Sequence, residues 1–240
     1  MAPPSATAPA RGLRDLAEPW FRVCTAVGLS PVKVWFRWRF EGLEHIPAAG
    51  PAIVACNHAS YLDPFANAYA VLQAGRRPRF LAKNDLFAIP VVGRALRGAG
   101  QIPVQRGTGD RTPLLEAERA LDRGEVVLIY PEGTVTRRPD HLPMEGKTGA
   151  VRLSLSTGVP ITPMVSWGSH AVWQKSGPGS LKFGRPVWVK VVESMNMAAT
   201  GAATSDYDAV RDLTADMMQT LTELVIELRA RYPKRWAAGG

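Results

Sequence analysis

His58 and Asp63 are the pair in this chain best suited to moving a proton. A histidine takes and returns a proton near neutral pH because its unperturbed pKa lies there. The carboxylate follows five residues later, in Asn57-His58-Ala59-Ser60-Tyr61-Leu62-Asp63-Pro64-Phe65. On one helix, five residues turn through about 500°, which puts the two side chains on different faces. They meet only if His58 stands in a turn and Asp63 opens the next helix. Asp is a favoured N-cap, and a proline such as Pro64 suits the first helical position. So placed, Asp63 would fix one ring nitrogen of His58 and aim the other at a substrate. The plainer reading makes Asp63 a cap alone and His58 a turn residue.

The elements around this pair alternate. Phe36, Trp38 and Phe40 against Arg37, Arg39 and Glu41 give a strand with one buried face. Ala52–Cys56 is a short apolar run ending abruptly at Asn57, as a buried strand ends at the mouth of a site. Asp63 to Gln73 reads as a helix, Arg79 to Lys83 as a strand, and Leu86 to Leu96 as a helix that Pro90 kinks or divides. Gln101 to Gln105 is a strand delivering Arg106, Asp110 to Leu121 a helix, and Glu125 to Tyr130 a strand. Lys147 to Ser156 reads as a helix, Pro160 to Trp167 as a strand, and Ser180 to Val192 as one or two more strands. Val210, Leu213, Met217, Leu221, Leu224 and Leu228 form the stripe of a long helix that covers a sheet and closes near Pro233. This pattern predicts an α/β fold with a central mixed sheet flanked by helices.

A chain of 240 residues, 46% of them hydrophobic, supports one substantial core rather than two. Residues 1–12 read as a disordered tail without the apolar stretch of a signal peptide. Residues 13–35 read as an amphipathic helical segment, with Leu13, Leu16, Trp20, Val23 and Val27 on one stripe and arginines close by. Trp35, Phe36 and Trp38 follow among Lys33, Arg37 and Arg39, a mixture suited to the water–lipid interface or, equally, to packing on the main domain. The main domain is expected over 36–232, with a loose tail from 233 to 240. The formal net charge of +8 favours anionic partners. Nucleic acid, phospholipid headgroups and phosphorylated small molecules all fit that charge; no nucleic-acid-reading motif accompanies it, so a nucleic-acid role rests on charge alone. No run of 18 apolar residues predicts a transmembrane helix. Cys24 and Cys56 give neither a disulfide framework nor metal-ligand spacing, so a reducing compartment and no metal are expected.

Several blocks taken in order resemble one family, the 1-acylglycerol-3-phosphate O-acyltransferases of the wider glycerolipid acyltransferase superfamily. Asn57 to Asp63 is similar to its His-x-x-x-x-Asp block, and Lys83 to the lysine that precedes its second helix. Gln101 to Gly107 resembles its second block, whose arginine, here Arg106, is associated with glycerol phosphate. Tyr130-Pro131-Glu132-Gly133-Thr134 resembles the third block, also assigned to the acceptor, and Val159 to Pro163 the fourth. The resemblance covers roughly 36–195. It departs where the family commonly has arginine after Glu-Gly-Thr: here stands Val135, with Arg137 and Arg138 just beyond. The resemblance implies acyl transfer from acyl-CoA or acyl carrier protein to lysophosphatidate, peripheral on the cytoplasmic face of a membrane, with no cofactor. Glycerol-3-phosphate, another lysophospholipid or a glycolipid are the other acceptors it allows.

The chemistry asks for few groups. An alcohol attacks a thioester well only as a base removes its proton, the role of His58, with Asp63 holding its tautomer. The acceptor phosphate needs fixed cations, which Arg grips bidentately. Arg106 is the first choice, then Lys83, Lys147 and Arg137. Asn57, Gly133 and Thr134 are expected at the substrate, and Glu132 to hold an acceptor hydroxyl or orient Arg106. A serine hydrolase is disfavoured because no Gly-x-Ser-x-Gly elbow occurs. A P-loop is rejected because His141 stands five residues before Gly146-Lys147-Thr148, where a glycine is required. A non-enzymatic lipid-binding module suits the charge but gives no reason for a His–Asp pair.

Overall fold

The computed structural model describes residues 26, 29–105, 111–175 and 177–237. Most of the amphipathic segment expected over 13–35 therefore lies outside the described residues, as does Arg106. Residues 29–35 are helical. The elements that follow are β1 (Arg37–Glu41), β2 (Ala52–Cys56), α1 (Asp63–Gln73), β3 (Pro78–Lys83), α2 (Asn84–Ala88), α3 (Pro90–Gly98) and β4 (Ile102–Val104). Then come α4 (Thr112–Asp122), β5 (Val126–Ile129), α5 (Gly149–Thr157), β6 (Ile161–Trp167) and a small hairpin of β7 (Trp173–Gln174) and β8 (Gly177–Pro178). β9 (Pro186–Val191), α6 (Tyr207–Arg231) and α7 (Lys234–Ala237) complete the chain.

Seven strands form one mixed sheet in the order β1-β9-β6-β2-β5-β3-β4. β6, β2, β5, β3 and β4 run parallel to one another, and the join between β6 and β9 is antiparallel. β2 and β5 are apolar at every position and fully buried, as strands covered on both faces must be. Ile53, Ala55, Val127 and Ile129 face α4, α5 and α6. Val54, Cys56, Val126 and Leu128 face α1. The result is three layers, helix on sheet on helix.

The connections decide where a site can form. From β2 the chain runs through α1 to β3, towards one sheet edge; from β5 it runs through α5 to β6, towards the other. The neighbouring strands β2 and β5 thus send their chains opposite ways, which opens a crevice at their carboxyl ends. His58 follows β2 and Glu132 follows β5, so both stand at that crevice.

Two expectations need correction. Asp63 is the first helical residue rather than the N-cap; the cap position is Leu62, with no side-chain cap bond. Its carboxylate turns back into the loop, where stronger donors wait. The tail expected to be loose from 233 instead carries α7, whose Trp236 packs against the core. Pro90 divides rather than kinks its segment, separating α2 from α3 at Ile89.

Candidate active site

The Asp63 carboxylate is fully buried and surrounded by donors. Oδ2 lies 3.2 Å from His58 Nδ1 and accepts the Ser60 backbone N–H at 2.7 Å. Oδ1 accepts the hydroxyls of Ser166 at 3.1 Å and Ser169 at 2.5 Å. A carboxylate accepts only, so it holds the imidazole proton on Nδ1. Nε2 has no hydrogen-bond partner among the described residues and keeps its lone pair for a substrate proton. The ring is nearly buried and stacks on Tyr130, with centroids 4.3 Å apart. Burial pushes the Tyr130 phenol well above its ordinary pKa, and Asn67 Nδ2 donates to its oxygen at 3.0 Å.

The turn holding His58 is pinned from three sides. Its backbone N–H donates to Glu132 Oε1 at 2.8 Å, and its carbonyl accepts the Thr136 N–H at 2.7 Å. The Ser60 hydroxyl and the Tyr61 N–H both donate to the Trp173 carbonyl, so the β7–β8 hairpin clamps the loop. That bond, and the Leu62 N–H donated to Ser60 Oγ at 3.0 Å, occupy the serine nearest the base in structural work.

Glu132 is buried, and its second oxygen accepts the Met144 N–H at 3.0 Å. Burial raises its pKa to about 7, against the two backbone donors that favour the charged form and with the nearby Asp63 carboxylate adding to the rise. Expected to hold an acceptor hydroxyl or orient Arg106, Glu132 is placed here as a brace between the catalytic turn and the 142–146 loop. Asn57 is also placed beneath the site rather than at its surface. Its amide donates to the Ser166 carbonyl at 3.1 Å and accepts the Ser166 N–H at 2.8 Å. Asn57 thereby positions the residue whose hydroxyl holds Asp63.

The other residues expected at the substrate fall into two groups. Gly133, Thr134 and Lys147 lie together: the Lys147 side chain crosses Gly133, its Nζ 3.3 Å from where a Cβ would stand. Gly133 has φ +67°, and its backbone N–H closes the turn onto the Tyr130 carbonyl at 2.9 Å. The Lys147 N–H donates to the Pro131 carbonyl at 2.9 Å, and Thr134 Oγ1 accepts from Lys175 Nζ at 3.1 Å. Val135 is buried, and Arg137 is exposed one residue beyond Thr136. Lys83 stands apart at the carboxyl end of β3, half exposed, its Nζ on Asp85. Ser166, Ser169, Trp173 and Met144 were not found from sequence. A serine after a glycine at a strand end, as in Trp167-Gly168-Ser169, was the one available signal.

A carboxylate-anchored imidazole at the carboxyl edge of parallel strands can act chemically as a general base. The Acyltransferase family model matches residues 37–167, which contain His58, Asp63 and the Glu132 turn. This chain belongs to the Acyltransferase family. It is 28% identical over 188 residues to the chloroplastic 1-acyl-sn-glycerol-3-phosphate acyltransferase BAT2 of Brassica napus, covering 69% of this chain and 53% of that protein. It is 30% identical to the chloroplastic 1-acyl-sn-glycerol-3-phosphate acyltransferase LPAT1 of Arabidopsis thaliana, over 62% of this chain and 41% of that one. The chain thus spans about half the length of these plant relatives. Its structure is similar to the crystal structure of the 1-acyl-sn-glycerophosphate (LPA) acyltransferase PlsC of Thermotoga maritima. The TM-score is 0.65 at 26% identity, with 92% of this chain and 81% of that chain covered.

Proposed function

We propose that this chain transfers a fatty acyl group from an acyl thioester to the free hydroxyl of lysophosphatidate, giving phosphatidate. The observation that carries the reading is His58, with Nδ1 committed to Asp63 and Nε2 left without a partner among the described residues. Nε2 takes the hydroxyl proton as the oxygen attacks the thioester carbonyl, and the imidazolium returns it to the departing thiolate. The buried Asp63 carboxylate stabilises that imidazolium. The thioester brings its own activated carbonyl, so the reading assigns no cofactor and no acyl-enzyme. Lys147 and Arg137, with Arg106 and Lys83, are the cations offered to the acceptor phosphate. The plant and Thermotoga relatives, named for this acceptor, support lysophosphatidate over glycerol-3-phosphate.

The same reading places the active edge against the cytoplasmic face of a membrane, where an acceptor with one acyl chain resides. Exposed apolar side chains rim that edge: Tyr61, Phe65 and Trp173 beside the catalytic turn, and Leu86, Ile89, Val91 and Val92 on α2 and α3. No helix among the described residues is long and apolar enough to cross a membrane. The test is product analysis by mass spectrometry after incubation with long-chain acyl-CoA, or acyl carrier protein thioester, and a panel of acceptors. Phosphatidate formed from lysophosphatidate supports the reading. Product only from glycerol-3-phosphate or another lysolipid would replace the acceptor.

A further inference from the structure

A second cluster of cations lies away from His58. A cavity of about 480 Å³ is lined by Arg37, Lys182, Phe183, Gly184, Arg185, Arg235 and Trp236: four cations and no carboxylate. Arg185 is 1% exposed, yet no acid among the described residues pairs with it. One guanidinium nitrogen reaches the Trp236 carbonyl at a long 3.5 Å, the side chain also bonds the Tyr232 hydroxyl, the group lies over the Trp236 ring, and Nε has no hydrogen-bond partner among the described residues. Burying a cation without an anion costs several kcal/mol, so a fold that keeps one with an unused donor leaves a place for an anion. The Arg37 side chain runs along Gly184, bringing a second guanidinium to the same wall.

The position of this cavity narrows the ligand. β9 is antiparallel to β6, pairing Trp188 with Trp167, and β1 pairs Arg37 with Pro186. The starts of β1 and β9 therefore lie on the same edge as the carboxyl ends of β2, β5 and β6. β9 is two strands from β2 and β1 three, about 10–14 Å along that edge. Exposed Phe183 lines the cavity and meets exposed Trp35 edge-on at 5.5 Å, and their chain neighbours Val34 and Leu181 are exposed as well. Apolar rings around a basic hollow match a bilayer surface, where acyl chains meet phosphates.

We propose that this cavity binds the phosphate of an anionic phospholipid headgroup in the bilayer surface. Arg185 holds the phosphate from within, the exposed Arg37, Lys182 and Arg235 hold it at the mouth, and the aromatic rim enters the acyl boundary. The site is separate from acyl transfer and does not depend on which acceptor is used.

The test compares the full chain with Lys182→Ala/Arg235→Ala, which removes two exposed cations of the cavity. The control, Arg123→Ala/Arg211→Ala, removes two cations from the opposite edge, where α4 leads into β5 and α6 begins. Binding to phosphatidylcholine vesicles with and without phosphatidylglycerol is measured by co-sedimentation. The cavity variant is expected to lose about 10-fold or more of its affinity for anionic vesicles, the control far less. Equal losses would reduce the effect to net charge and overturn the site, as would no loss in the cavity variant. In a second arm, inorganic phosphate is titrated at constant ionic strength and thermal stability is followed. A cavity-dependent stabilisation by phosphate, without a difference between the variants on vesicles, would assign the site to a soluble phosphate compound and overturn the lipid.

Discussion

Four donors converge on the Asp63 carboxylate, and only one of them is the catalytic ring. The others fix where the carboxylate points, and so where Nε2 of His58 points. His58→Ala is expected to lower turnover by about 10²–10⁴-fold with the fold intact, which steady-state kinetics and circular dichroism check together. Ser169→Ala removes a fully buried hydroxyl that bonds the Asp63 carboxylate. It is expected to lower kcat on the order of 10-fold while leaving KM for the acceptor unchanged, since it loosens aim rather than binding. Glu132 contributes one part of the pH dependence. Its folded pKa, about 7, lies above its ordinary 4.5. The folded state therefore holds the proton more tightly between those values, and stability from this group is full below about 4.5 and lost as pH rises through 7. The swing is on the order of 3 kcal/mol. Because buried His170, with its pKa lowered to about 3, gains stability over part of the same rise, the effect is read as a difference: from pH 5 to pH 7.5 the wild type should lose more thermal stability than Glu132→Gln. An identical pH response in both proteins would remove Glu132 from that role.

At the scale of elements, the site depends on turns that hold long-range partners at set distances. Gly168 links β6 to Ser169 with φ +97°, and a Cβ there would stand 2.4 Å from the Pro186 carbonyl oxygen and 2.7 Å from the Tyr232 hydroxyl. Gly168→Ala is expected to cost roughly 2–3 kcal/mol, read as a lower denaturant midpoint, and to reduce kcat through Ser169. Runs such as Ala52–Cys56 and Glu125–Tyr130 were legible in the sequence because a strand buried on both faces must be apolar throughout. The Asp63–Gln73 helix was legible from Pro64 at its start and Gly75 past its end. The His58–Asp63 pair was legible because both members lie in one loop. Ser166 and Ser169 lie more than 100 residues from Asp63, and a serine's sequence neighbours do not show what it bonds across a sheet. The β7–β8 hairpin was missed because two-residue strands carry no periodicity. That Asp63 makes no cap bond and gathers Ser60, Ser166 and Ser169 beside His58 was missed, because a cap and a network carboxylate look alike in one dimension.

Across the whole molecule, the catalytic turn, the cations around it and the basic cavity occupy one edge of the sheet. The net charge of +8 reinforces attraction to anionic surfaces, and the exposed apolar rim gives that attraction a direction. Deleting residues 1–35 is expected to weaken co-sedimentation with anionic vesicles, because Val34 and Trp35 leave with the segment; unchanged binding would assign it to packing. The most direct test of the account is thiol release from long-chain acyl-CoA, followed with and without lysophosphatidate, for wild type and His58→Ala. The account predicts release in the wild type that requires the acceptor and is lost in the variant. Release that proceeds equally without acceptor, or that survives the loss of His58, would contradict it.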